Sequence, residues 1–157
     1  MNFNTWGMPA AFGGKFVEQR MVKIADELSK GEYDIYLFEE LWIESDHKTL
    51  ADKIPEGFHM TKYEELGGKD RVLIDNPGGR SGLAIASRYP FEGKPNFYPF
   101  KERGDVGKIV QDGEALSGKG VGRVMLRYLH RNIIGILNCN EFLHSINSQT
   151  FISAAQT

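Results

Sequence analysis

The amino-acid sequence predicts a sheet-rich domain with a few covering helices, of the α/β or α+β class. Three observations predict it. The chain opens with a short alternating segment, an amphipathic stretch of helical period and then a continuous apolar run, the strand, helix, strand start of an α/β layer. Two apolar runs flank Asn76-Pro77-Gly78-Gly79, turn chemistry that predicts antiparallel strands at 71–75 and 83–87. Further on, "VGRVMLRYL" and "NIIGILNC" read as a hairpin joined near His130-Arg131-Asn132.

Taken in order, "MNFNTW" sets Phe3 and Thr5 against Asn2, Asn4 and Trp6, a short strand. From Gly14 to Lys30, Val17, Met21, Ile24, Ala25 and Leu28 share one helical face, Glu18, Gln19, Lys23, Asp26 and Glu27 lie elsewhere, and Gly31 ends the helix. "YDIYLF", 33–38, is a strand closed by Glu39 and Glu40. A helix crossing over between these strands leaves them adjacent and parallel, which brings Asn4 to Trp6 beside Glu39 to Trp42. A short helix is predicted over Lys48 to Ile54, stopped by Pro55, and "FHMTKYEEL" has strand character. Tyr89 to Gly120, with Pro90, Pro95 and Pro99, reads mainly as surface loop with one strand around Phe97.

With 157 residues the chain suits one domain, 1–157, able to bury roughly 68–70% of its unfolded surface if it closes a complete core. Nineteen basic residues against 21 acidic leave a net charge of -2, no field to gather a polyanion, so a nuclease is unsupported though not excluded. The single cysteine, Cys139, rules out an internal disulfide and reads as a small buried side chain. No apolar run reaches membrane-spanning length and the N-terminus lacks a signal-peptide pattern, so a cytoplasmic or membrane-associated location is expected.

The stretch "DGEALSGKGVG" has the glycine, four residues, glycine, lysine spacing of a P-loop. Gly120 stands where the magnesium-binding hydroxyl belongs, and a strand pattern follows where a helix is needed, so the nucleotide reading fails. Lys119 in its glycine turn remains an anion candidate, with Glu114 and Asp112 as possible partners and an ordinary solvated lysine as the alternative. Glu39 and Glu40 close a strand on which side chains alternate, so only one of them can serve a site. The functional reading is a hard-cation ligand; the alternative is a solvated strand end. Asn4, an amide in a strand pattern, either orients a phosphoryl oxygen beside a metal or is a satisfied edge residue. The histidines at 47, 59, 130 and 144 lack zinc-site spacing, and most of them read as surface or half-buried. Ser81, without a G-x-S-x-G context, receives no catalytic role.

In order, "NTWGMP", "YDIYLFEELW", "SGLAIASRYP" and "SGKGVG" resemble the N-terminal half of the neutral sphingomyelinases, of the DNase I-like endonuclease/exonuclease/phosphatase superfamily. The likeness spans Phe3 to about Val124. It implies a four-layer sandwich of two sheets flanked by helices, truncated here, and magnesium-dependent cleavage of sphingomyelin to ceramide and phosphocholine. A membrane surface and a phospholipid are the implied partners. It assigns Asn4 to the active centre, Glu40 to magnesium, and Lys119 to activity together with the acidic residue five places before it. That acidic residue is Glu114 here, where the family has aspartate. The family's Thr-His-Leu-His-Ala motif has its counterpart at Glu141 to Ser145, with Phe142 in place of the first histidine and His144 matching the second. The later Asp-x-Asn and Ser-Asp-His motifs, which supply the general base, have no counterpart, and the first strand starts at Met1 without the usual lead-in. The expectation is therefore an incomplete domain, marginal in isolation and impaired in catalysis, with an inactive binding fragment or a nuclease as the alternatives.

Overall fold

The structure is a computed structural model that describes residues 1–8, 14–67, 81–100 and 120–128 with their side chains, and the backbone of 132–139 and 152–154. The elements run β1 (Asn2–Asn4), α1 (Val17–Leu28), β2 (Ile35–Glu39), α2 (Glu44–Ala51), β3 (His59–Met60), β4 (Ala84–Ser87), β5 (Asn96–Pro99), β6 (Gly120–Tyr128), β7 (Asn132–Cys139) and β8 (Ile152–Ala154). They form two four-stranded sheets, ordered β1-β2-β4-β3 and β5-β6-β7-β8.

The alternation of period 2 in the strands decides the layering. On β2, Tyr36 and Phe38 point to one side with Ala84 and Ala86 of β4, against Met21, Ile24, Ala25 and Leu28 of α1 and Leu50 of α2. Leu37 and Ile85 point to the other side and meet Val124 and Leu126 of β6 in the second sheet. Helices, first sheet and second sheet thus stack as three layers, with the first sheet buried on both faces; this is why β2 reads as an unbroken apolar run. Each fully buried aliphatic or aromatic side chain in these interfaces contributes about 1.5–3 kcal/mol.

Helix α1 runs within the predicted 14–30 and buries the predicted face, and Gly31 leaves it in the left-handed region at φ 64. As expected, β1 and β2 are parallel neighbours, with Asn4 paired to Glu39. Strand β5 contains Phe97, and β6 and β7 form the predicted hairpin, closing at Tyr128 opposite Asn132. Four strands of the second sheet are described.

Two expectations change. Helix α2 starts at Glu44, four residues before the predicted Lys48, because Glu44 and Asp46 place carboxylates where the helix dipole favours them. Only His59–Met60 of "FHMTKYEEL" pairs as strand. His47 is buried, at 8% exposure, an exception to the surface or half-buried position expected of most of the histidines; its Nε2 donates to the Thr61 carbonyl at 2.8 Å. Strand β4 is antiparallel to β2 and β3, while its predicted partner at 71–75 lies outside the described residues. So do Asp112 and His130, and the side chain of Cys139. No helix among the described residues is long and apolar enough to cross a membrane.

Candidate functional site

At the C-terminal ends of the parallel pair β1 and β2, two amide–carboxylate bridges run side by side. Asn2 Nδ2 donates to Glu39 Oε1 at 2.8 Å, and Asn4 Nδ2 donates to Glu40 Oε1 at 2.7 Å. The parallel register dictates this: Asn2 stands opposite Leu37 and Asn4 opposite Glu39, so each amide reaches the strand-end carboxylate beyond its partner. Burial separates the two glutamates. Glu39 is 8% exposed and its carboxyl is pushed up from the ordinary range, chiefly by desolvation, against the Asn2 hydrogen bond and with the Glu40 charge adding to the rise. Glu40 is half-buried and sits in a left-handed conformation, φ 56, which turns it out of the strand alternation toward Asn4.

The backbone around Glu40 is tied to the other motifs. Thr5 N donates to Glu39 O at 2.8 Å and Gly7 N to Glu40 O at 2.9 Å; a Cβ on Gly7 would stand 2.7 Å from that carbonyl. On the far side, Leu41 N donates to Gly82 O at 2.9 Å, and Gly82, φ 67, lies so close to the Trp42 ring that an added Cβ would stand 2.9 Å from it. "NTWG", "EELW" and the Ser81-Gly82 turn, far apart in the chain, meet here. Ser81 is buried, with its hydroxyl on the Leu66 carbonyl and accepting from Leu83 N.

Sequence reasoning missed Arg20. It lies on α1, and its guanidinium donates to the carbonyls of Thr5 at 3.2 Å, Trp6 at 2.6 Å and Lys15 at 2.8 Å. One arginine in an amphipathic helix carries no signal in the pattern that separates such a role from a solvated charge. The other three predicted site residues, Lys119, Glu114 and His144, lie outside the described residues.

Among the described residues no group of three or more His, Cys, Asp or Glu side chains forms a metal cage, and no ion pair involves Glu40. One Glu40 oxygen is engaged by Asn4, and the described residues supply the carboxylate no cation. That donor chemistry fits a hard divalent cation, which takes one or two carboxylates and fills its remaining positions with water and phosphate oxygen.

No family model matches the chain. It is 28% identical over 131 residues to sphingomyelin phosphodiesterase 2 of Homo sapiens, covering 80% of this chain and 26% of that protein. It is 25% identical over 139 residues to the inositol phosphosphingolipids phospholipase C of Schizosaccharomyces pombe, covering 88% of this chain and 29% of that protein. The chain spans less than a third of the length of these curated relatives. Among solved structures, the β-hairpin deletion mutant of beta toxin from Staphylococcus aureus superposes with TM-score 0.65 at 15% identity, covering 94% of this chain and 52% of that one. A beta toxin mutant solved with bound magnesium ions gives TM-score 0.63 at 15% identity, covering 88% and 47%. The chain is therefore similar in sequence to the neutral sphingomyelinases over some 80% of its length, and its two-sheet α/β architecture is about half of a DNase I-like fold.

Proposed function

We propose that the chain carries part of the active centre of a magnesium-dependent phosphodiesterase that hydrolyses sphingomyelin to ceramide and phosphocholine. The observation that carries this reading is the bridge from Asn4 to Glu40 at the ends of two parallel strands, in a chain whose relatives are named for sphingolipid phosphodiester cleavage. Glu40 would hold the magnesium ion. The ion, when bound, supplies charge stabilisation and orientation at the phosphoryl group. Asn4 holds the Glu40 carboxylate in place and presents an amide beside the phosphoryl oxygens. Lys119 and its acidic partner Glu114, in the glycine turn, are proposed to add positive charge where negative charge accumulates as the ester is cleaved. His144 is proposed as the remaining histidine of the centre, and residues 1–157 as one incomplete domain acting at a phospholipid surface.

The test is phosphocholine release from sphingomyelin vesicles with magnesium or with excess chelator, comparing the parent with Glu40→Gln. The expected result is release that needs magnesium and falls on the order of 10²-fold in the variant. Release equal in parent and variant would remove Glu40 from the mechanism.

A further inference from the structure

We propose that Arg20 is a positioning residue for this site: a guanidinium clamp on helix α1 that forces the turn leaving β1 and so fixes which atom of Asn4 faces Glu40. This rests on the phosphodiesterase reading for its magnesium and kinetic readouts; the geometry stands by itself.

Trp6 adopts φ 45 although it carries a large aromatic side chain that is 56% exposed. A bulky residue holds such a conformation only where its surroundings over-determine it. Arg20 does so from three directions. Its Nε and terminal nitrogens donate to the carbonyls of Thr5, Trp6 and Lys15, and its guanidinium carbon lies 5.4 Å from the centroid of the Trp6 ring. A planar fork of five N–H donors can serve three carbonyls and a ring face at once, whereas an ammonium is a point charge without that geometry.

The turn has one consequence at the site. It aims the Trp6 amide N–H back at Asn4 Oδ1, at 2.9 Å. A backbone N–H can only donate, so the Asn4 oxygen must face it and the Asn4 Nδ2 is left for Glu40. Without the turn the amide loses this constraint, and its oxygen can swing to the carboxylate, where two acceptors repel. Arg20 thus sets the polarity of Asn4 without touching Glu40.

The experiment compares the parent with Arg20→Lys, which keeps the charge and removes the fork. Three readouts are taken: acrylamide quenching of tryptophan fluorescence, magnesium binding by calorimetry, and phosphocholine release. The chain has two tryptophans, and Trp42 is only 8% exposed, so quenching reports on Trp6. Expected are stronger quenching, magnesium binding weakened about tenfold and release reduced about 10²-fold. Adding Trp6→Gly to Arg20→Lys should recover much of the magnesium binding, because glycine enters the left-handed region without a clamp.

Parental quenching and parental magnesium binding in Arg20→Lys would overturn the proposal, as would a double variant no better than Arg20→Lys alone. If Arg20→Lys fails to unfold cooperatively, the comparison is made between Trp6→Gly and the double variant. Less than a twofold difference in magnesium binding supports the clamp, and a tenfold loss overturns it. A parent that releases no phosphocholine or binds no magnesium sinks the proposed function, while quenching still decides on Arg20.

Discussion

Replacing Gly82 by alanine isolates the contact that joins the Ser81-Gly82 turn to the strand carrying Glu40. Gly82 has φ 67, and an added Cβ would stand 2.9 Å from Cε3 of Trp42 and 3.0 Å from two neighbouring ring atoms. Trp42 is buried, at 8% exposure. Two costs therefore add: left-handed backbone strain for a non-glycine residue, of order 1–3 kcal/mol, and overpacking against a buried ring, about 1–3 kcal/mol. Gly57 provides the internal reference. Its φ is 85 and a Cβ there would meet nothing within 4 Å, so Gly57→Ala carries the backbone strain alone. The expected difference between the two variants is about 2 kcal/mol, or roughly 4–8 °C in Tm for a domain of this size. Thermal unfolding followed by circular dichroism reads it directly. Equal losses in Gly82→Ala and Gly57→Ala would refute the reasoning, since the ring contact would then contribute nothing. Because Leu41 N donates to Gly82 O at 2.9 Å, Gly82→Ala should also weaken magnesium binding, and Gly57→Ala should not.

Asn4→Ala removes the amide from Glu40, and calorimetry should show magnesium affinity falling between about 10- and 100-fold, as for lost support of a metal-binding group. Ser81→Ala leaves the Leu66 carbonyl and the Leu83 N–H without their buried partner, which should cost about 1–3 kcal/mol of unfolding free energy by urea titration. His47 makes stability depend on pH. Burial holds its pKa below the ordinary 6.5, outweighing the Thr61 hydrogen bond, so below pH 6.5 the unfolded chain binds a proton that the folded chain refuses. The contribution is fully present above pH 6.5 and is lost as the pH falls from there toward the lowered folded value. Urea midpoints measured from pH 7.5 to 5 should fall in the parent and stay flatter in His47→Gln; parallel curves would remove His47 from that dependence.

Much of the architecture could be read along the chain because it rests on local periodicity. The face Met21, Ile24, Ala25, Leu28 has the helical spacing and is the face that α1 buries. The apolar run at β2 is continuous because both of its sides are covered. The juxtaposition of Asn4 with the strand-end glutamates followed from the rule for parallel crossovers, with no residue-level knowledge of the site. Helix α2 was placed four residues late because its start depends on weak dipole effects and its N-cap residue, Ile43, makes no side-chain capping bond. A lone histidine offers no pattern at all, so the burial of His47 under Thr61 was out of reach.

By itself the sequence determined which residues alternate, which face of α1 is apolar, and that two strands would bring an asparagine and a glutamate to the same end. The first two depend on neighbours within a few positions, where backbone geometry sets the outcome, and the third on the rule for parallel crossovers. Only the tertiary structure decided which glutamate would sink and which would meet Asn4, that Trp6 and Glu40 would be held left-handed, and that Arg20 would take three carbonyls. Each of these is settled by groups that the chain brings together from a distance, through burial, hydrogen-bond geometry and steric fit.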